Sequence, residues 1–172
     1  IITRIMDGIS TYICTPDLKY ETNLLVSYFG FGWGAFIVAG VIFTSFIVWL
    51  SHYSFKEINI FKIKANSFSD YVSILFLKEP GKISKLLYSN PWNKQVFVFI
   101  GQVLPITLIH YSIFLVINNL FMIGQCYSKI LNSFYGLIYE YYPIICNLIP
   151  LIIFLIVSYS FLNRKYLYNN KQ

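Results

Sequence analysis

The chain has 172 residues, 57% of them hydrophobic and 12% charged, with a formal net charge of +6. A soluble domain carries about 25% charged residues, so this balance speaks against a water-soluble enzyme or carrier. The positive charge is not set in any nucleic-acid fold signature, which leaves membrane topology and anionic lipid as its reading rather than nucleic acid. The apolar residues fall in three long blocks, the pattern of membrane spans. The expected fold is an all-α membrane protein: three transmembrane helices, with an amphipathic interfacial helix in the first inner loop.

Residues 1–23 read as a short head on the outer side. Thr15-Pro16-Asp17 is a turn signal. A small amphipathic helix before it, with Ile2, Ile5, Met6 and Ile9 on one side, is expected to lie on a surface. Arg4, Asp7, Asp17, Lys19 and Glu21 interrupt this region, so no isolated apolar signal segment is expected in it.

The first span is expected over residues 24–50, a run without a charge. Gly30 and Gly34 form a GxxxG pair, and Ser27 and Ser45 fall on one side of the same helix. Small residues at such spacing let another helix backbone approach closely, which gives a candidate helix-packing face. Glycine is also common in membrane helices generally.

Residues 51–94 form a loop with seven lysines. Within it, Ser67-Phe-Ser-Asp70 reads as a capping box opening a helix over 67–79. Phe68, Tyr71, Val72, Leu75 and Phe76 follow at helical spacing until Pro80-Gly81 ends the run. The flanking basic residues favour a helix lying apolar face down in the headgroups. Packing on the chain's own loop is the alternative.

The second span lies within residues 95–128, 34 residues without a charge between Lys94 and Lys129. One straight helix of that length would measure about 51 Å, against a hydrocarbon core of about 30 Å. Asn118-Asn119 is therefore the expected outer boundary, giving a span over 95–119 and an outer connection over 120–141. Gln102 and His110 are its polar intramembrane contacts, separated by a kink expected at Pro105. The third span is expected over 142–162, with Pro143 in its first turn and a kink at Pro150. A polar, basic tail follows over 163–172.

With three spans, the first loop and the tail share a side. Together they hold ten Lys or Arg residues, against three in the head and second loop. This bias predicts the N-terminus outside and the C-terminus inside.

The chemistry-bearing residues are few. No Asp, Glu, Lys or Arg lies in the three expected span cores, whereas proton or ion translocation usually needs one. Two histidines, His52 and His110, do not make a haem or copper ligand set by themselves. Cys14, Cys126 and Cys146 show no zinc spacing. A Cys14–Cys126 bridge on the outer side and buried thiols are both compatible with the topology. There is no phosphate-binding glycine loop, GxSxG or HExxH motif. No catalytic, metal or protein-held cofactor residue is therefore expected. Trp92, Lys94, Arg164 and Lys165 gather at the inner interface and form a candidate site for a phospholipid headgroup such as cardiolipin.

The composition itself is unusual. Ile, Phe, Tyr, Asn and Lys supply 81 of the 172 residues, while Ala occurs three times and Arg twice. The favoured residues have A/T-rich codons, and membrane physics does not demand the preference. The chain also begins Ile1-Ile2. In these features it resembles the divergent open reading frames of ciliate-type mitochondrial genomes. Those of their products that have been placed are membrane subunits of the respiratory chain or ATP synthase. A shorter likeness runs through Phe68-Ser-Asp70 and Leu75-Phe76-Leu-Lys78-Glu79-Pro80, which is similar to the first matrix loop of complex I subunit 1. It requires a gap and lacks the basic glycine-proline segment expected before it.

These resemblances imply a mitochondrial inner-membrane location, with inside meaning the matrix and outside the intermembrane space. They imply other subunits of a large complex as partners. The expected function is a non-catalytic structural subunit of a respiratory complex. An ATP synthase membrane subunit, a diverged core subunit of complex I or cytochrome oxidase, and a small transporter are the alternatives.

Overall fold

The computed structural model describes residues 1–18, 30, 32–81, 83–88, 93–125 and 142–171. Those residues form five α-helices and two short 3-10 turns, with no strand among them. We number the helices α1 (Ile2–Cys14), α2 (Trp33–Lys56), α3 (Phe68–Leu77), α4 (Lys94–Gln125) and α5 (Tyr142–Asn170). Three contain stretches long and apolar enough to cross a membrane: Trp33–Lys56, Lys94–Phe121 and Leu148–Asn170. Over the described residues the chain is an all-helical membrane protein with three such spans and one shorter apolar helix, α3.

The spans are displaced from the boundaries expected above. Gly30 has a φ of +64°, which no right-handed helix permits, and α2 begins at Trp33 with the Gly32 carbonyl accepting from the Phe36 N–H at 3.0 Å. α2 then runs on to Lys56. The chain from Ser51 to Lys56 contains neither Gly nor Pro, so the backbone has no reason to stop where hydropathy falls. α5 likewise continues to Asn170, so most of the expected tail is helix. α4 passes through Pro105 and Asn118-Asn119 as one helix to Gln125, and α5 passes through Pro150.

The chain divides into two compact units, Ile1–Ser45 with Thr107–Ile153 and Phe46–Ile106 with Phe154–Gln172. In the first, α1 packs along the C-terminal half of α4 through hydrogen bonds. α1 ends at Thr15, whose N–H donates to the Thr11 carbonyl at 2.8 Å. The Trp33 indole N–H donates to the Pro16 carbonyl at 2.7 Å, and the Tyr12 ring meets the Trp33 ring edge-on. This fixes the turn after α1 against the start of α2.

The second unit holds the apolar core. Phe61, Tyr71, Val72, Leu75, Phe76, Val98, Phe99, Val103 and Leu162 are buried together. α3 opens at the capping residue read from the sequence: Ser67 Oγ accepts from the Asp70 N–H at 3.1 Å and donates to the Asp70 carboxylate at 2.8 Å. It closes on Lys78, in the left-handed conformation at φ 62°, whose N–H donates to the Ile74 carbonyl. The Ser69 and Ser73 hydroxyls both donate to the Gly81 carbonyl, which folds the Pro80-Gly81 turn back onto the helix. The apolar side of α3 is taken up by this core and not left for headgroups. The reason is aromatic and aliphatic complementarity: Phe76 meets Phe99 edge-on, Phe61 meets Phe161, and Phe68 meets Tyr159.

Candidate functional site

Two constellations of polar side chains stand out against this apolar background. The first lies where α2 meets α4 in the second unit. Gly101 has no side chain, and a β-carbon built on it would stand 2.6 Å from the Leu50 carbonyl oxygen and 2.8 Å from the Ser54 β-carbon. The approach this permits brings Gln102 Nε2 to 2.8 Å from Ser54 Oγ, and both residues are buried. Ser54 Oγ in turn donates to the Ser51 carbonyl at 3.0 Å. Buried polar groups in a span need such partners, because an unmatched one costs several kcal/mol in lipid (about the cost of desolvation). A hollow of about 300 Å³ lined by Ile47, Val48, Ser51, His52, Phe55 and Pro105 adjoins this contact.

Beside it, the loop is tied to the ends of the spans. Glu57 Oε1 accepts from Lys94 Nζ at 2.8 Å. Asn93 caps α4 by accepting the Val96 N–H, and its amide donates to the Phe76 carbonyl at 2.7 Å. Asn169, buried in the last turn of α5, donates to the carbonyls of Phe61 and Ile63, and Asn170 donates to that of Ala65. Three carbonyls of an irregular segment thus gain donors from one helix end, which also explains why α5 continues so far. The Lys165 ammonium lies over the Phe61 and Phe161 rings, 5.9 and 5.6 Å from their centroids. The Tyr71 hydroxyl donates to the Phe61 carbonyl at 3.2 Å, and burial pushes its pKa well above the ordinary phenol value. An open groove of about 430 Å³ runs between Lys64, Asn66, Asp70 and the Asn169-Asn170 end.

The second constellation is in the first unit. Asp7, Ser10 and Thr11 of α1 are buried. Arg4 Nη1 donates to Asp7 Oδ2 at 2.9 Å and to Ser112 Oγ of α4 at 3.3 Å. The Asn119 side-chain amide donates to Ser10 Oγ and Thr11 Oγ1, at 2.9 and 3.2 Å, and the Asn119 backbone carbonyl accepts from the Cys14 thiol at 3.0 Å.

The residues singled out in the sequence distribute unevenly over these features. A β-carbon on Gly30 or Gly34 would meet nothing within 4 Å, and Ser45 is exposed. Among the described residues nothing packs on Gly30, Gly34 or Ser45. The buried residues of α2 are Ile47, Leu50 and Ser54, the last two beside Gly101 of α4. Ser27 and Trp92 lie outside the described residues, as does Cys126, so the Cys14–Cys126 bridge does too. Gln102 is buried at the α2 contact, whereas His110 is exposed on α4. Of the expected lipid-headgroup cluster, Lys94 pairs with Glu57, Lys165 covers two rings and Arg164 is exposed.

The Arg4–Asp7 pair and Gly101 were not singled out by sequence reasoning. The spacing of Arg4 and Asp7, three apart in a helix with apolar residues opposite, was the available signal. Among the described residues no three His, Cys, Asp or Glu side chains come together as a metal site. In both constellations donors on one helix meet acceptors on another. No protein-family model, curated protein or solved structure gives a significant match to this chain.

Proposed function

We propose that this protein is a non-catalytic, multi-pass structural subunit of a mitochondrial inner-membrane respiratory complex, contributing helix packing and lipid contacts to its assembly. The observation that carries the reading is how much apolar surface the spans leave exposed. Within their most apolar windows, 11% of the α2 residues, 28% of the α4 residues and 6% of the α5 residues are buried inside the chain. Some of their polar groups, by contrast, are met within the chain, Gln102 on Ser54 and Asn169 on the loop carbonyls, while Ser158 Oγ of α5 is buried without a partner among the described residues. A chain so arranged offers its neighbours broad apolar flanks, including Gly34 and Ser45 as a small-residue patch for a second helix.

The mitochondrial part rests on the A/T-coded composition. The orientation rests on charge. The lysine-rich loop and the end of α5 belong to one unit, and a side so rich in Lys and Arg is the inner, matrix side. The N-terminus then faces the intermembrane space. Phospholipid, cardiolipin in particular, is the second partner, at the basic matrix ends of the spans.

Blue-native electrophoresis of solubilised membranes with mass spectrometry of each band tests the reading. Co-migration with a respiratory complex is expected. Migration with ATP synthase replaces the assembly named here, and migration as a small free species removes the proposal altogether.

A further inference from the structure

α1 is built inside out for a surface helix. A helix lying on water turns its polar residues outward and buries its apolar ones. Here Asp7, Ser10 and Thr11 are 8%, 5% and 7% exposed, while Ile2, Ile5 and Ile9 are 74%, 57% and 56% exposed. Met6 and Ile13 are on the exposed side as well.

The contacts also fix its direction. Arg4 bonds Ser112, and Thr11, seven residues on, bonds Asn119, seven residues on along α4. Seven residues advance a helix by about 10 Å. Two helices that stay in step over that distance run side by side and parallel, not crossed. α1 therefore stands along the last part of the span Lys94–Phe121, and does not lie across its end.

We propose that α1 is a partial membrane span, embedded upright in the outer leaflet, with its polar face on α4 and its apolar face against lipid acyl chains. At 13 residues it measures about 20 Å, too short to cross a core of about 30 Å. The polar face meets the requirement that ionisable and hydroxyl groups at such depth be paired: Arg4 with Asp7 and Ser112, Ser10 and Thr11 with Asn119. Acyl chains are the occupant of the other face for two reasons. Ile2, Ile5, Met6, Ile9 and Ile13 offer no side-chain hydrogen bond to a neighbouring helix. The adjoining stretch of α4 is exposed through the same kind of residue, at Ile109, Ile113, Ile117 and Leu120, so the apolar surface of the span continues over α1. The inference does not depend on which assembly the protein belongs to.

The test uses the full chain in phosphatidylcholine vesicles whose acyl chains carry bromine, with tryptophan placed by Ile5→Trp or Ile9→Trp. The emission that each variant adds to that of the parent chain is read. Bromine is expected to remove most of the added emission, as it should for Ile113→Trp on α4, while aqueous iodide leaves it unchanged. Asp17→Trp marks the response of a water-exposed site. If iodide quenches Ile9→Trp as it does Asp17→Trp and bromine does not, α1 lies in water and the proposal fails. If neither quencher acts while bromine quenches Ile113→Trp, protein covers the face and lipid is the wrong occupant.

Discussion

Gly101 lies so close to Ser54 that a single added methyl at Gly101 would stand 2.8 Å from the Ser54 β-carbon and 2.6 Å from the Leu50 carbonyl oxygen. The second of these is backbone and cannot turn aside. Gly101→Ala should therefore destabilise the α2–α4 contact by about 1–3 kcal/mol, the usual range for overpacking, despite the better helix propensity of alanine. Gly34→Ala, with nothing within 4 Å, should be neutral or gain up to about 1 kcal/mol from propensity. Thermal unfolding of both variants in one detergent checks the pair. Equal melting temperatures would show that Gly101 is not the point of closest approach.

That contrast indicates which parts of the fold could be read in advance. Three spans and the α3 capping box rest on local facts, namely runs of apolar residues and a hydroxyl three residues before a carboxylate. Boundaries and partners do not. Nothing in the stretch from Asn163 to Asn170 announces that Asn169 will meet the carbonyls of Phe61 and Ile63, residues about a hundred positions away. A GxxxG spacing was legible at Gly30 and Gly34, but Gly30 lies before α2, and among the described residues the close helix approach is at a lone glycine, Gly101, opposite a serine. The Arg4–Asp7 pair was visible as two charges in a polar head, and only the fold places it against Ser112.

The Gln102–Ser54 hydrogen bond is the clearest case for a coupling measurement. Gln102→Leu removes the donor but leaves Ser54 donating to the Ser51 carbonyl. Ser54→Ala removes both bonds and leaves the Gln102 amide buried. A double-mutant cycle should give a coupling of about 0.6–1.7 kcal/mol, the range for polar contacts between membrane helices. The double variant should be less harmed than the two single losses added together. Additive losses would mean that the two side chains do not act on each other.

Tyr71 should make the second unit sensitive to alkali. Its pKa is raised in the fold by burial, so the folded protein keeps the proton over a range in which the unfolded chain gives it up. Stability from this group is complete below about pH 10, the ordinary phenol value, and falls as pH rises toward the folded value. Within that window the loss is about 1.4 kcal/mol per pH unit. Ultraviolet titration should show one tyrosine ionising later than the others, and Tyr71→Phe should lack that step. The variant should also lose the bond to the Phe61 carbonyl, at about 1 kcal/mol near neutral pH. A full set of phenols ionising together in the parent would contradict the burial of Tyr71.

The basic residues Lys94, Arg164 and Lys165 should differ in their hold on anionic lipid. Lys94 is already paired with Glu57 at 2.8 Å, with side chains 51% and 33% exposed. Lys165 is drawn over Phe61 and Phe161. Arg164 is exposed, and its guanidinium can take two phosphate oxygens at once. Of the three, Arg164 is thus the freest to reach a headgroup, and a basic residue near an anionic surface contributes about 1 kcal/mol. Native mass spectrometry of protein carrying cardiolipin should show Arg164→Ala losing bound lipid several-fold more readily than Lys94→Ala. Lys94→Ala should instead lower stability slightly, since its ion pair is solvated. If Lys94→Ala strips the lipid as effectively as Arg164→Ala, the Glu57 pair must open when lipid binds. Glu57→Gln should then strengthen retention by releasing Lys94. If neither variant changes retention, these side chains set the orientation of the spans and do not hold the lipid.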